Sequence, residues 1–449
     1  MTRSSEEIFV MNVERRGHVR QPYPVSNCQA GGDTEVKAKP FVIEKRDVYR
    51  AWLLVKTNQG AAGVDGQTIA DFESNLKDNL YKLWNRLSSG SYYPPPVKGV
   101  AIPKKSGGER LLGIPTVADR VAQMVVRLHF EPLVEPHFLP DSYGYRPNKS
   151  AIDAIRVTRQ RCWQQDWVLE FDIKGLFDNI PHDLLMKSVR KHTNSPWICL
   201  YIERWLTAPM KCNGEVLFRE KGTPQGGVIS PVLANLFLHY VFDKWMQKHH
   251  PRLKWCRYAD DGLVHCQNEA QAREIRKILE RRFSECGLEL HPDKTRIAYC
   301  KDGDRKGRYE HISFDFLGYT FRPRLVKNRK RNSLFVSFTP AVSKTAQKAM
   351  RFKIRKLKIR MRTELNLTQM ANWLNPMISG WLSYYGQFCR SELYKVFRQL
   401  NKALVRWARR KYKALSRHKT QASKLLQRIA KQYQGLFAHW RAGMTGTFA

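Results

Sequence analysis

Three aspartates in apolar surroundings carry the clearest chemical signal in the sequence. Asp172 lies near the end of residues 167–173, a run typical of a buried strand. Asp260 and Asp261 lie at the tip of a predicted hairpin whose two arms are apolar. An ionised carboxylate in such surroundings is costly unless it is paired or holds a metal ion. Oxygen ligands favour Mg²⁺, and two such ions would activate an attacking hydroxyl and stabilise a leaving pyrophosphate.

Each of these aspartates also has a purely structural interpretation. Asp261 and Gly262 form a pair that is common in the type I′ turn of a hairpin. Asp172 ends a strand and could cap a helix that follows it. Taken one at a time, the aspartates therefore leave both interpretations open.

The elements that must position these carboxylates are strands interleaved with helices. Alternating apolar residues predict paired strands over 97–102 and 110–114, and helical spacing predicts helices over 69–87 and 233–248. Asn268 is a suitable cap for a helix that Gly287 would end. After Ser343 the pattern becomes helical only, in three basic segments of roughly 20 residues each.

The charge of the chain indicates a polyanionic partner. The 449 residues contain 78 Lys and Arg against 40 Asp and Glu, a net charge of +38, which favours nucleic acid or an anionic membrane as partner. From Ala341 onward, 24 basic residues face only two glutamates, so +22 of the total lies there. The sequence has no apolar run of about 20 residues that would span a membrane and no signal-peptide core.

Cysteine usage favours a reducing compartment. The nine cysteines are scattered and form no C-x-x-C pair, which predicts neither disulfides nor a zinc site. We therefore expect a cytoplasmic protein without a membrane partner.

A set of ordered motifs places the aspartates in a family context. FDIKGLFD at 171–178, GTPQGG at 222–227 and YADD at 258–261 resemble the ordered signature of reverse transcriptases. Further motifs resemble the reverse transcriptases and maturases encoded by bacterial group II introns: IPKK at 102–105, RLLGIP at 110–115, SYGYRP at 142–147, FLGY at 316–319 and GWLSYYG at 380–386.

The resemblance implies an α+β fold of the right-hand polymerase type, with fingers and a palm built on an antiparallel sheet, followed by an all-helical basic thumb and maturase region. The implied division is a mobile leader over 1–45, fingers and palm over 46–325, and the thumb and maturase region over 326–449. The implied activities are RNA-directed DNA polymerisation and assistance in splicing and mobility of a group II intron. The implied partners are intron RNA, an RNA template with a DNA primer, and dNTPs, and the implied cofactor is a pair of Mg²⁺ ions.

The resemblance also assigns roles to individual residues. The catalytic triad would be Asp172, Asp260 and Asp261, and the metal ligands would include these three and Ile173. Residues matching the nucleotide site, in which Phe177 would select against a ribose 2′-hydroxyl, are Lys104, Arg110, Phe177, Gln225 and Lys294. The primer grip would be Phe316, Leu317 and Gly318. Basic residues predicted to bind RNA are Arg146, Arg355, Lys356, Arg406, Arg409 and Arg410.

One departure from many relatives is the lack of a cysteine–histidine cluster near the end of the sequence, where an endonuclease domain would lie. We therefore expect no target cleavage and a primer supplied elsewhere, for instance at replication forks. Two rival functions remain: an RNA-binding splicing factor without catalysis, and a reverse transcriptase adapted to phage defence or CRISPR spacer capture. The three aspartates count against the first, and the long maturase-like region counts against the second.

Overall fold

The computed structural model describes residues 39–103, 108–328, 331–446 and 448. These residues form two compact units, and the chain passes between them several times. The first unit takes the chain up to Ala154, Phe171–Val264 and Arg273–Thr295, and the second takes Ile155–Glu170, His265–Ala272 and the chain from Arg296 onward. The predicted Lys104 lies outside the described residues.

Helices interleave with strands up to residue 295, as the sequence predicts. In chain order the α-helices are α1 (Lys45–Asn58), α2 (Ile69–Ser74), α3 (Leu76–Ser88), α4 (Val117–Val134), α5 (Ala151–Gln164), α6 (Leu176–Asn179), α7 (His182–Arg190), α8 (Pro196–Thr207), α9 (Ser230–Leu238), α10 (Lys244–His249) and α11 (Glu269–Glu285). The Asn268 side chain accepts a hydrogen bond from the Gln271 N–H at 2.9 Å, and Gly287 has a φ of +74°, so the predicted cap and stop of α11 are confirmed.

Two of the predicted helices are interrupted. The stretch over 69–87 divides at Asn75, whose ψ of 48° is not helical, and Thr68 caps α2 in a capping box with Asp71. The stretch over 233–248 contains a π-helical turn, His239–Asp243, between α9 and α10. This wider turn carries Asp243, which bonds a buried arginine described below.

The strands form three sheets. Their bounds are β1 (Val97–Pro103), β2 (Glu109–Ile114), β3 (Trp167–Asp172), β4 (Met210–Cys212), β5 (Glu215–Leu217), β6 (Lys254–Tyr258), β7 (Asp261–Cys266), β8 (Arg296–Tyr299), β9 (Phe314–Phe316), β10 (Tyr319–Asn328) and β11 (Ser333–Val342). The strand orders are β2-β1-β4-β5, β6-β7-β3-β8 and β11-β10-β9. Antiparallel pairing joins β1 to β2, β3 to β8, and β10 to both β9 and β11, whereas β1 and β4 are parallel. The predicted α+β class is confirmed.

The C-terminal part of the second unit is helical. Its α-helices are α12 (Lys344–Lys356), α13 (Leu367–Tyr385), α14 (Tyr394–Lys411), α15 (Lys419–Gln432) and α16 (Ala438–Arg441), with short 3₁₀ turns at Ile359–Met361, Arg390–Leu393 and Lys413–Leu415. Ser343 and Asn366 cap α12 and α13 with their side chains, so the three predicted segments divide into more, shorter helices. Trp407 and Trp440 lie in the apolar core that these helices share.

None of the helices in the described part of the chain is both long enough and apolar enough to cross a lipid bilayer.

Candidate active site

The hairpin that carries two of the aspartates turns two residues earlier than the Asp-Gly pair suggests. Its turn residues are Ala259 and Asp260, and Ala259 takes a left-handed φ of +55°. Asp261 and Gly262 begin β7, so the interpretation of this pair as a type I′ turn is wrong. Gly262 is required by packing, because a Cβ there would lie 2.1 Å from the ring of Phe171 in the neighbouring strand.

The end of β3 brings Asp172 beside this hairpin. The N–H of Ile173 donates to the Asp260 carbonyl at 3.3 Å, and the Asp172 carbonyl accepts from the His291 N–H at 2.8 Å. The N-cap of the following helix, α6, is Gly175, so Asp172 does not cap that helix. Backbone pairing on both sides therefore fixes the position of the Asp172 side chain.

Lys294 supplies a cation to these carboxylates. Its Nζ lies 2.8 Å from Oδ2 of Asp172. Burial lowers the pKa of the Lys294 ammonium, but the hydrogen bond to Asp172 and the charges of Asp172, Asp261 and Asp260 outweigh burial, so the pKa is raised overall. Burial and then the charge of Asp172 raise the pKa of Asp260. Asp172 and Asp260 thus repel each other in a partly buried site, and the charge of Lys294 acts on both carboxylates.

The oxygen donors of this cluster suit a divalent cation chemically, because an added cation would relieve the repulsion that raises the pKa of Asp260. Among the described residues, however, no group of three or more His, Cys, Asp or Glu side chains is arranged so that it could hold a metal ion. Asp172 and Asp260 are adjacent, but the three aspartates do not form a complete ligand set in this arrangement.

A buried ion pair between Arg257 and Asp243 is hydrogen-bonded to the turn of the hairpin. Arg257 is fully buried in β6 and bonds both oxygens of Asp243 at 2.8 and 2.6 Å. The same guanidinium donates to the Ala259 carbonyl at 3.2 Å and to the Ser142 hydroxyl at 2.8 Å. Burial raises the pKa of Asp243, but Arg257 outweighs it and the pKa is lowered. This pair was not predicted from the sequence, although an arginine inside an apolar strand is the same kind of signal as a carboxylate in apolar surroundings.

Tyr145 was also missed as a site residue. Its loop packs tightly on the hairpin, because a Cβ on Gly144 would lie 2.4 Å from the Ala259 nitrogen. Tyr145 has a left-handed φ of +57°, and burial, followed by the charge of Asp260, raises its pKa to about 12. The charge of Arg110 acts on the same phenol in the opposite direction. The phenol therefore lies in the field of both the carboxylates and a predicted nucleotide-binding cation.

Two of the predicted nucleotide residues, Phe177 and Gln225, lie at the glycine-rich loop over 222–227. The carbonyl of the half-buried Phe177 accepts from the Thr223 N–H at 2.6 Å. Gln225 donates from Nε2 to Asp178 at 3.2 Å, and its carbonyl accepts from the Gly113 N–H of β2 at 2.8 Å. Arg110, on the same strand, is exposed. Hydrogen bonds thus join the Phe177 segment, the Gln225 loop and β2.

The predicted primer grip forms a tight turn in the second unit. Leu317 and Gly318 have φ values of +49° and +78° between β9 and β10. The Tyr384 hydroxyl of α13 donates to the Leu317 carbonyl at 2.8 Å, and the Tyr319 hydroxyl donates back to the Tyr384 carbonyl. A Cβ on Gly318 would lie 3.0 Å from the Tyr385 hydroxyl, so Tyr385 packs against this turn.

The predicted RNA-binding residues divide into two groups. On α12 and α14 most of them are exposed, whereas the Arg409 guanidinium donates to the Ser416 carbonyl at 2.8 Å. Arg146 is buried, pairs with Glu135 at 2.7 Å and donates to the Leu139 and Ser142 carbonyls. The structure therefore gives Arg146 a structural position, in contrast to the predicted contact with RNA. Residues of this set that face solvent are Arg355, Lys356, Arg406 and Arg410.

Comparisons with known proteins match both parts of the chain. Residues 102–321 match the family "Reverse transcriptase (RNA-dependent DNA polymerase)", and residues 347–425 match "Group II intron, maturase-specific domain". Protein YkfC of Escherichia coli (strain K12) is 33% identical, with 60% of this chain and 77% of that protein covered. Group II intron-encoded protein LtrA of Lactococcus lactis subsp. cremoris is 35% identical, with 52% of this chain and 38% of LtrA covered.

Among solved structures, telomerase from Candida albicans in complex with a fragment of telomeric RNA is similar with a TM-score of 0.43 and 11% identity. This similarity covers 84% of this chain and 68% of the telomerase chain.

Proposed function

Because the chain belongs to the group II intron-encoded reverse transcriptases and maturases, we propose that it extends a primer 3′-hydroxyl with dNTPs on an RNA template and assists splicing and mobility of its intron. Its reverse transcriptase domain makes it an RNA-directed DNA polymerase. Enzymes of this family use divalent metal ions. The reverse transcriptase and maturase domains both imply RNA binding. The observation that carries the catalytic half is the meeting of Asp172, Asp260 and Lys294 at one place.

We propose that Asp172 and Asp260 hold two Mg²⁺ ions, with Asp261 and the backbone at Ile173 completing the site. When bound, the ions would favour the ionised 3′-hydroxyl and stabilise charge on the leaving pyrophosphate. Arg257 and Asp243 keep the Asp260 turn in place, since the guanidinium holds the Ala259 carbonyl. Lys294 pairs with Asp172 at 2.8 Å, and in the proposed site its ammonium would be the cation nearest this carboxylate when no metal is bound.

The nucleotide would lie between β2 and the Asp172 strand end. Arg110 and Lys104 are suited to the triphosphate because guanidinium and ammonium groups form charge-assisted hydrogen bonds with phosphate. Phe177 would exclude a ribose 2′-hydroxyl, and the Gln225 loop, tied to β2 at Gly113, would contact the incoming nucleotide. Lys294 would move from Asp172 toward the triphosphate.

The second unit would handle the primer and the intron RNA. The turn at Phe316, Leu317 and Gly318 is proposed to grip the primer end, and the exposed cations of α12 and α14 to bind RNA phosphates. We retain 46–325 as fingers and palm and 326–449 as thumb and maturase region. In this division the maturase family match lies entirely within the second part.

The test is primer extension by Asp260→Asn, which keeps the side chain's volume and removes its charge. We expect extension on an RNA template to fall by at least about 10³-fold, because a metal ligand is lost, while RNA affinity stays within a few-fold. Asp78→Asn on the first turn of α3, an exposed carboxylate far along the sequence from the motifs, is the matched control.

Extension by Asp260→Asn at the wild-type rate would contradict the metal assignment and leave an RNA-binding splicing factor as the function. Loss of RNA binding together with extension would indicate misfolding, which circular dichroism detects. Splicing assays with candidate group II intron RNAs test the maturase half and separate it from a role in phage defence or spacer capture.

A further inference from the structure

The outer half of the ribbon formed by β10 and β11 exposes apolar side chains. Their exposed fractions are 66% for Leu325, 63% for Leu334, 48% for Phe335 and 37% for Val336. Isolated exposed apolar residues are ordinary, but adjacent ones on a single ribbon indicate a binding surface. Neither the metal site nor the primer-grip turn uses these residues.

The register places three of them on one face. Leu325 lies opposite Val336, and Lys327 lies opposite Leu334. Residues that lie directly opposite each other on paired strands point to the same side of a ribbon, and so do residues two apart along one strand. Leu325, Val336, Leu334 and Lys327 therefore form a continuous aliphatic face with a cation at its outer end, which we call the ribbon face.

The two strands of the ribbon contain only basic charged residues, whereas Asp302 and Asp304 of a neighbouring loop flank Gly303, whose N–H donates to the Val336 carbonyl. No acidic residue occurs between Asp315 and Glu364. Glu392 approaches the ribbon from another element and pairs with Arg324 at 3.0 Å and Arg322 at 3.6 Å. No acidic partner for Lys327 or Arg331 is found among the described residues. The face is therefore complementary to an anionic partner that also offers apolar surface.

The edges of the ribbon are poorly suited to adding a strand from another protein. Beyond Phe321, β10 has no further pairing with β9, and Pro323 on this edge has no N–H to donate. On the other edge the Val336 carbonyl already accepts from the Gly303 N–H at 3.1 Å. The ribbon is thus available through its face.

We propose that the ribbon face binds an RNA duplex in its shallow minor groove. A-form RNA presents a wide minor groove lined with riboses, and two-stranded ribbons are known to enter grooves of nucleic acids. The aliphatic side chains pack against riboses, and Lys327 and Arg331 neutralise phosphates at the groove edges. The inference rests on the RNA-binding half of the proposed function and adds a site to it.

The test compares duplex affinities of the full chain carrying Leu325→Ser, Lys327→Ala and Leu334→Ser with those of the wild type. Fluorescence anisotropy with an RNA duplex and a DNA duplex of equal sequence is the readout. We expect RNA-duplex affinity to fall about 10-fold and the salt slope to decrease by about one, as for one lost phosphate contact plus apolar contacts. The DNA duplex, with its narrower groove, should lose less.

A matched control is the pair Leu53→Ser and Lys77→Ala, an exposed leucine and an exposed lysine of the first unit, which should leave both affinities unchanged. Replacing Val336 with the photocrosslinker p-benzoylphenylalanine should give a crosslink to the RNA duplex. Primer extension at saturating primer–template should persist in the triple variant. The extension assay therefore tests the polymerase proposal independently of the RNA site on the ribbon face.

Three results would overturn the inference. RNA-duplex affinity within two-fold of the wild type in the triple variant excludes the site. Equal losses of affinity for the RNA duplex and the DNA duplex would mean that the ribbon face contributes only nonspecific electrostatic attraction. Loss of binding to phosphatidylglycerol–phosphatidylcholine vesicles with unchanged RNA affinity would make the face a lipid-binding surface instead.

Discussion

Lys294 is the residue whose role the geometry constrains most sharply. Its ammonium contacts Asp172 at 2.8 Å and therefore competes with any cation that this carboxylate binds. We expect Lys294→Met to lower the Mg²⁺ concentration needed for half-maximal extension, because the competing charge is gone. The same change should raise KM for dNTP roughly 10-fold, since a charge-assisted contact with the triphosphate is lost.

The matched control for this prediction is Lys174→Met. Lys174 is an exposed lysine that pairs with Glu289 at 3.0 Å, and its removal should leave both quantities unchanged. Steady-state extension with dNTP and Mg²⁺ titrated separately gives both values. A higher Mg²⁺ requirement with an unchanged KM for dNTP would mean that Lys294 only organises the carboxylates.

For single residues, the sequence predicts a role when the side chain is chemically unusual for its surroundings. It does not predict a role that depends on partners brought together only by the fold. Asp172 and Asp260 could be identified because an ionised carboxylate in apolar surroundings is costly. The structural role of Arg146 could not, because Glu135 and the carbonyls that bind it are assembled only by the fold. Tyr145 likewise gains its position from the contact between Gly144 and Ala259.

Among the elements, helix α13 controls the predicted primer grip. Leu317 holds a left-handed φ of +49°, which costs a non-glycine residue about 1 kcal/mol, and the Tyr384 hydroxyl bonds its carbonyl. We expect Tyr384→Phe to raise KM for primer–template several-fold and to shorten the products, because one hydrogen bond contributes about 1 kcal/mol. KM for dNTP should not change.

The control for this element is Tyr394→Phe, which removes a longer bond of 3.4 Å to the Gly443 carbonyl. Product-length distributions under single-hit conditions report processivity, and thermal unfolding reports stability. If Tyr384→Phe lowers the melting temperature without changing primer–template KM or product length, the tyrosine supports the fold alone.

The sequence predicts the type of an element better than its continuity. Periodicity predicts helix over 69–87, but Asn75 leaves the helical region, and Thr68 with Asp71 caps α2 as a separate short helix. The π-helical turn at His239–Asp243 has no periodic signal, and its last residue, Asp243, bonds Arg257 of a later strand. Local pattern cannot report such long-range requirements.

For the whole molecule, composition predicts the class of partner but not how the chain is divided. The excess of basic residues after Ala341 agrees with the RNA-binding domain found there. The chain, however, passes from one compact unit to the other after Ala154, Glu170, Val264, Ala272 and Thr295, positions that carry no linker composition. Strands β3 and β7 each continue from one unit into the other, which a linear search for linkers cannot detect.

Stability of the whole chain should depend on two buried histidines, His265 and His439. Burial lowers the pKa of each from 6.5 to about 3, so the folded chain keeps them neutral while the unfolded chain protonates them. Their contribution is present above pH 6.5 and is lost progressively as the pH falls toward 3, by roughly 1.4 kcal/mol per histidine at pH 5.5. In urea unfolding, the free energy of unfolding should therefore fall less between pH 7.5 and pH 5.5 for His265→Leu than for the wild type. His418 is exposed, so His418→Leu should lose as much as the wild type. Equal losses in all three proteins would contradict a neutral, buried His265.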